Sequence, residues 1–140
     1  MTKLALYKGK GQIGNALVRA WKSSIYSHCE LLIDEQCYSS TIMDGGVRRK
    51  AIALDPAKWD VVPLAWDAAP GVLRYFDATA GEPYSWLGLI ASQVFATESD
   101  EPRASFCSEW CAAALGLPNP QIYSPGSLGE LVRYLNSRSQ

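Results

Sequence analysis

The first half of the chain alternates short apolar segments with turn signals, whereas the second half carries longer segments with helical spacing. Strands are expected at 3–7, 26–33, 36–40, 47–53 and 59–64, with turns at 34–35 and 44–46. Helices are expected at 13–22, 68–79, 84–95, 106–115 and about 127–136, with a polar loop at 97–104. Because the strands cluster and most helices follow them, this order predicts an α+β fold. It is a small antiparallel meander sheet of about five strands with helices packed on one side.

The composition suits one globular domain. The 140 residues are too few for two ordinary domains, and 48% of them are hydrophobic, which excludes global disorder. The net charge of −1 excludes a nucleic-acid binder that works by neutralising phosphates. No apolar run approaches the roughly 18 residues of a membrane span. Residues 1–8 do not resemble a signal peptide, so the protein is expected to be cytoplasmic as synthesised.

Four cysteines and a single histidine limit the redox and metal chemistry of the chain. The cysteines are too sparse for a disulfide framework, so reduced thiols are expected, with a Cys29–Cys37 disulfide as the alternative in an oxidising compartment. No C-x-x-C pair is present, and Cys29 is expected on the strand face opposite His28. The spacing therefore predicts no metal site. Residues 9–14 lack the Gly-Lys-Ser/Thr ending of a phosphate loop, and no cofactor is expected.

Cys107 is a candidate nucleophile. Ser105, two residues before it, is a candidate helix N-cap. With that cap, Cys107 would lie in the first helical turn, where unpaired N–H groups and the helix dipole lower a thiol pKa. The same N–H groups would stabilise an oxyanion. The alternative is that Cys107 is a small buried hydrophobic residue, as Cys111 is expected to be one turn later.

His28 is a candidate general base. Alternation along its strand places His28 and Glu30 on one face and Cys29 and Leu31 on the other. On a mostly apolar strand a histidine and a glutamate are costly unless they pair, and the carboxylate would favour the protonated imidazole. The alternative is a purely structural His–Glu contact at a sheet edge. Together with Cys107, the pair supplies the parts of a Cys–His hydrolase, because such partners meet in space rather than in sequence.

Three further side chains are candidates for substrate binding: Tyr26, Arg48 and Trp66. Tyr26 precedes His28 in the same predicted strand. Arg48 belongs to a basic run at 48–50, which would hold an anionic substrate or, alternatively, form a solvated strand face. Trp66 follows a predicted strand in a loop, where it is expected to line a cleft.

Two motifs, Tyr26-Ser27-His28-Cys29-Glu30-Leu31 and Phe106-Cys107-Ser108-Glu109-Trp110, together resemble those of the permuted NlpC-like cysteine hydrolases. These are papain-like proteins related to the lecithin:retinol acyltransferase group. The likeness extends to 44–48 and 84–88, covers nearly all of 1–140 as a single domain, and is greatest for the small members encoded by bacteriophages and prophages. It implies a permuted papain-like sheet in which the His strand precedes the Cys helix, with Cys107 as the nucleophile and His28 as the base.

The third catalytic residue departs from the family pattern. In many relatives it lies about 12 residues after the histidine, which here is Ser40, and a hydroxyl orients an imidazole less firmly than a carboxylate does. Glu30 shares a predicted face with His28 and is the first choice, with Ser40 as the second.

The resemblance also implies the reaction. A Cys107 acyl-enzyme would cleave an amide bond, with a cell-wall (peptidoglycan) peptide as the substrate. The competing activity is transfer or hydrolysis of lipid esters or thioesters, and the non-enzymatic alternative is an inactive phage accessory or structural binding module. A virion or host protein is the further partner, and virion association or delivery to the cell wall by another protein would then determine the final location.

Overall fold

The structure, a computed structural model, describes residues 1–9, 25–41, 44, 46–80 and 102–139, excepting the side chains of 102–106. Its strands are β1 (Lys3–Tyr7), β2 (His28–Ile33), β3 (Gln36–Thr41), β4 (Gly46–Lys50) and β5 (Trp59–Pro63). Its helices are α1 (Ala69–Ala80), α2 (Pro102–Ala114) and α3 (Pro125–Arg138), with a 3₁₀ turn at Pro120–Ile122. The predicted α+β class is confirmed. The helices predicted at 13–22 and 84–95 lie outside the described residues.

The described strands form one antiparallel sheet in the order β4-β3-β2-β1-β5. The predicted meander holds for β1 to β4, but β5 departs from it by crossing to pair with β1, from Lys3↔Pro63 to Tyr7↔Trp59. The reason lies in β1, whose residues 4–6 are consecutive, apolar and fully buried. Such a strand belongs in the interior of a sheet, with a neighbour on each edge.

A two-residue turn sets the register between β2 and β3. Asp34 and Glu35 both have positive φ, 48° and 67°, as the turn of a tight type I′ hairpin requires. The turn places Leu31 opposite Tyr38, so these two residues share a face. The strand bounds differ from the predictions by a few residues: β2 begins at 28 rather than 26, and β4 ends at 50 rather than 53.

The described helices pack on the face of the sheet that carries Leu6 and Tyr38. Tyr38 meets Phe76 of α1 edge to face, with ring centroids 5.0 Å apart. Gly129 of α3 lies so close to Leu6 that a Cβ there would come within 2.8 Å of its side chain. One-sided packing of these helices agrees with the prediction. The residues that α2 contributes to this core include Cys107, Trp110, Cys111, Ala112 and Ala114.

The helix that carries Cys107 begins earlier than predicted. α2 begins at Pro102, a residue well suited to the first helical position, so the predicted polar loop is wrong for 102–104. Ser105 lies inside the helix and is not its N-cap. Cys107 is the sixth helical residue, beyond the first turn in which N–H groups are unpaired and the dipole acts most strongly. The stabilisation predicted there is therefore wrong for Cys107.

The C-terminus of α2 and the N-terminus of α3 follow their sequence signals. Gly116, with φ 77°, ends α2 in a Schellman motif, and the Leu117 N–H donates to the Ala112 carbonyl at 3.0 Å. Ser124 caps α3 through a capping box with Ser127. None of the described helices is long and apolar enough to cross a membrane.

Candidate active site

A row of polar side chains crosses β2, β3 and β4 on the sheet face opposite the helices. The registers of these strands place Glu30, Ser39 and Arg48 on this common face. Ser39 is fully buried, and its hydroxyl donates to the Cys29 carbonyl at 2.9 Å. Because Ser39 is small, the long Arg48 side chain reaches across it to Glu30.

Glu30 is a fully buried carboxylate at the centre of this row. Arg48 binds it with both ends of its guanidinium: Nη1 donates to Oε1 at 2.5 Å and Nη2 to Oε2 at 2.7 Å. Nε2 of His28 is hydrogen-bonded to the same Oε2. Burial alone would raise the pKa of Glu30, but the hydrogen bonds from Arg48 and His28 outweigh it and hold that pKa below its ordinary value. Glu30 is therefore ionised at neutral pH.

Arg48 is held from its other side as well. Its Nε donates to Oδ2 of Asp44 at 2.8 Å. Burial disfavours the charged guanidinium, but the hydrogen bonds and charges of Glu30 and Asp44 raise the pKa of Arg48 above its ordinary value. The group predicted to bind an anionic substrate thus already contacts two carboxylates of its own chain.

Cys107 lies where α2 meets the start of β2. Its side chain is hydrogen-bonded to the His28 imidazole and to the thiol and backbone N–H of Cys29. His28 thus contacts both Glu30, through Nε2, and Cys107. The structure therefore joins Cys107, His28 and Glu30 in one hydrogen-bonded chain.

Within the hydrogen-bonded chain Cys107–His28–Glu30, each charged group shifts the pKa of its neighbour toward the charged form. Burial lowers the pKa of His28, but the charge and hydrogen bond of Cys107, followed by those of Glu30, raise it to about 10. Burial raises the pKa of Cys107, but the Cys29 thiol, the charge and hydrogen bond of His28, and the Cys29 N–H hold it well below its ordinary value. The two shifts favour a Cys107 thiolate beside a His28 imidazolium.

Cys29 supports the thiolate without competing with it. Burial and hydrogen bonds to Cys107 and Cys111 raise the pKa of Cys29 well above its ordinary value, so it stays a thiol and donates. All four cysteines are free. Cys29 shares the face of Leu31, whereas Cys37 lies on the opposite face, so the alternative Cys29–Cys37 disulfide is wrong.

An aromatic ring lies beside His28, and a charged cluster surrounds Tyr26. The Trp59 ring meets the imidazole edge on, with centroids 6.2 Å apart. Tyr26, two residues before His28, donates its hydroxyl to Asp60 and accepts a hydrogen bond from Arg133 at 3.3 Å. The residue predicted to bind substrate is thus part of a polar cluster with Asp60 and Arg133.

Ser40 and Trp66 lie elsewhere. Ser40 is fully buried on the Tyr38 face, and within the described part of the chain its Oγ has no hydrogen-bond partner. Trp66 lies between β5 and α1 and packs, half-buried, against the core. Of the two candidates for the third residue, Glu30 is therefore the one that contacts His28.

Sequence reasoning missed the contacts of Asp44, Arg48 and Cys29 at this site. The sequence indicates Arg48 only as an anion-binding residue or as part of a solvated strand face, although pairing β3 with β4 from the predicted turn at 44–46 places it beside Glu30. Cys29 follows His28 directly, so its backbone N–H was bound to lie near whatever His28 contacts. No local signal marked Trp59.

In the ranges that the structure describes, no group of three or more His, Cys, Asp or Glu residues is placed to hold a metal ion. Comparisons with protein-family models, with curated proteins and with solved structures find no match for this chain. Function is therefore inferred from the chemistry of the Cys107 site and from the sequence resemblance.

Proposed function

We propose that this protein is a cysteine hydrolase that cleaves an amide bond through a Cys107 acyl-enzyme. His28 is the general base and acid, and Glu30 orients and charges it. The hydrogen-bonded chain Cys107–His28–Glu30, built around the only histidine of the sequence, carries the proposal. The contact between a Cys helix and an earlier His strand also fits the permuted papain-like arrangement, which we include in the proposal.

The reaction follows from the charge states. The Cys107 thiolate attacks the carbonyl carbon, and the electron pair of the C=O bond moves to oxygen. When the C–N bond breaks, the His28 imidazolium gives its proton to the leaving amine. Neutral His28 then takes a proton from the water that attacks the thioester, the thiolate leaves, and the imidazolium is restored.

The substrate class is proposed from the resemblance and from the polar cluster around Tyr26. Permuted NlpC-like hydrolases suggest a cell-wall peptide. The cluster contains Tyr26, Asp60 and Arg133, with Lys8 bound to Asp60 at 2.8 Å. Charged groups of both signs suit a polar peptide better than an acyl chain. A panel of peptidoglycan fragments and of short- and long-chain p-nitrophenyl esters tests this. New amino groups from the fragments are expected, and exclusive turnover of long-chain esters would favour the lipid alternative.

Full burial of Cys107 favours a second candidate, a binding module that keeps the site without turnover. A substrate carbonyl reaches Sγ only after covering groups move. Mass spectrometry after incubation with an activated acyl ester separates the two functions. One acyl group on Cys107 supports the hydrolase, and an unmodified Cys107 supports the module.

Glu30→Gln is expected to reduce kcat/KM on the order of 10²-fold, less than loss of Cys107 or His28, because an amide keeps the shape but not the charge that stabilises the imidazolium. The matched comparison is Ser40→Ala, another buried polar residue of the same sheet, which is expected to keep turnover within about twofold. Steady-state kinetics on the same substrate measures both. A larger loss for Ser40→Ala would contradict the assignment of Glu30.

Hydrolysis is expected to depend on pH in a bell shape. The alkaline side falls near pH 10, where His28, with its pKa of about 10, loses the proton that the leaving amine needs. The acid side lies well below the ordinary thiol value of about 8.5, because His28 and Cys29 stabilise the Cys107 thiolate. The profile of kcat/KM checks both limbs. A single rise near the ordinary thiol value would contradict the ion pair.

A further inference from the structure

We propose that Arg48 is a positioning residue of this site, whose two-pronged hold on Glu30 keeps that carboxylate ionised and aimed at Nε2 of His28. This inference rests on the proposed function. It assigns Arg48 to the catalytic apparatus through Glu30 rather than to direct contact with substrate.

The geometry of the bidentate fork, in which the Arg48 guanidinium binds both carboxylate oxygens of Glu30, supports this role. Arg48 engages both oxygens of Glu30, at 2.5 and 2.7 Å, and Oε2 also binds His28. A planar guanidinium fixes the plane of a carboxylate, which a single point charge does not. The direction in which Oε2 presents itself to His28 therefore follows from the position of Arg48. Asp44 holds the guanidinium in turn through Nε at 2.8 Å.

Because Glu30 is buried, Arg48 is also needed to keep its carboxylate ionised. A fully buried carboxylate without a cation takes up a proton, because burial penalises the charged form. Buried ion pairs contribute little to stability compared with apolar residues of similar volume. The placement of this pair directly behind the only imidazole is explained by the anion that His28 needs.

Among the described residues, few titratable groups besides His28 and Arg48 act on Glu30 and the polar row that it shares with Ser39 and Arg48. Glu30 faces His28 and Arg48, and its charge also reaches Cys37, whose pKa is raised to about 11 mainly by burial. Across the described residues, the titratable and charged groups that act on this row and its neighbours from β2, β3, β4 and α2 and from Asp44 are His28, Cys29, Glu30, Cys37, Asp44, Arg48, Lys50, Cys107 and Cys111.

The test uses the single histidine. Its imidazole signals in an NMR pH titration need no assignment, and they report the His28 midpoint without any substrate. In Arg48→Met, Glu30 loses the fork and takes up a proton, so the His28 midpoint is expected to fall by about one pH unit or more. Alkylation of Cys107 by iodoacetamide at about pH 7 is expected to slow about tenfold with it. Arg49→Met is the matched control, because Arg49 is the next residue and is exposed, and no change is expected.

Arg48→Lys separates charge from geometry. Lysine restores a cation but not the planar fork, so less than half of the loss should be recovered. A native-like midpoint in Arg48→Lys, or an unchanged or raised midpoint in folded Arg48→Met, would overturn the positioning role. If circular dichroism shows that Arg48→Met does not fold, Arg48→Lys decides alone, with a lowered midpoint as the expected result.

Cys107→Ser distinguishes failure of this inference from failure of the proposed function. Its His28 midpoint should fall, because the thiolate charge helps to raise the pKa of His28. No fall in Cys107→Ser would remove the ion pair and the hydrolase proposal with it. A fall in Cys107→Ser with none in Arg48→Met would remove only the role of Arg48.

Discussion

Cys107→Ala is expected to lower turnover by ~10³-fold or more, because the acyl-enzyme cannot form without Sγ. The neighbouring thiol of Cys29 cannot replace it, since burial, the largest effect on that thiol, raises its pKa. Steady-state hydrolysis of the best substrate from the fragment and ester panel measures the loss. Circular dichroism and thermal unfolding of the same sample verify that the variant is folded.

Cys111→Ala is the matched control for this loss. Cys111 lies one turn further along α2, is also fully buried and also contacts Cys29. The substitution removes the same sulfur volume from the same helix but leaves the Cys107–His28 pair intact, so turnover should stay within a few-fold. Equal activity in native protein and Cys107→Ala would end the hydrolase proposal. Equal losses in the two variants would indicate a packing effect of the helix.

His28→Ala is expected to cause a loss of similar size, ~10³-fold, because the chain has no second histidine that could take over proton transfer. The same change removes the cation beside Cys107, so the pKa of its thiol is expected to rise, with only the hydrogen bonds from Cys29 left to oppose burial. Kinetics over a range of pH measures both effects.

The double variant Cys107→Ala/His28→Ala supplies the control for this prediction. Residues that act as one unit are strongly non-additive, so the double variant should be no slower than either single variant. Losses that multiply would contradict joint action of the pair, and a His28→Ala protein with native turnover would exclude His28 as the base.

The local part of the site could be predicted from the sequence. Alternation along one strand was enough to place His28 and Glu30 on a common face, and the Asp34-Glu35 turn was enough to predict the hairpin that follows. Both depend on neighbours a few residues apart. The long-range pairing of β5 with β1 has no such local signal, since it depends on which strand must be buried on both edges.

One error, the start of the Cys107 helix, comes from competing local signals. Ser105 and Pro102 both suit the start of a helix, and the structure begins α2 at Pro102. Counting residues from His28 led to Ser40, but the two-residue turn puts Ser40 on the Tyr38 face and Ser39 on the Glu30 face. The bond between Arg48 and Glu30 depends on two successive registers, so an uncertainty of one residue in either would have hidden it.

The most direct test of the central claim is a pH titration of thiolate absorbance in the ultraviolet, as the difference between native protein and Cys107→Ser. The measurement needs neither a substrate nor access of a reagent to the buried sulfur. An ion pair predicts that the Cys107 thiolate persists well below the ordinary thiol pKa of about 8.5 and that His28→Ala shifts this signal to higher pH. A difference signal that appears only near or above pH ~8.5, and is the same in His28→Ala, would contradict an activated Cys107–His28 pair.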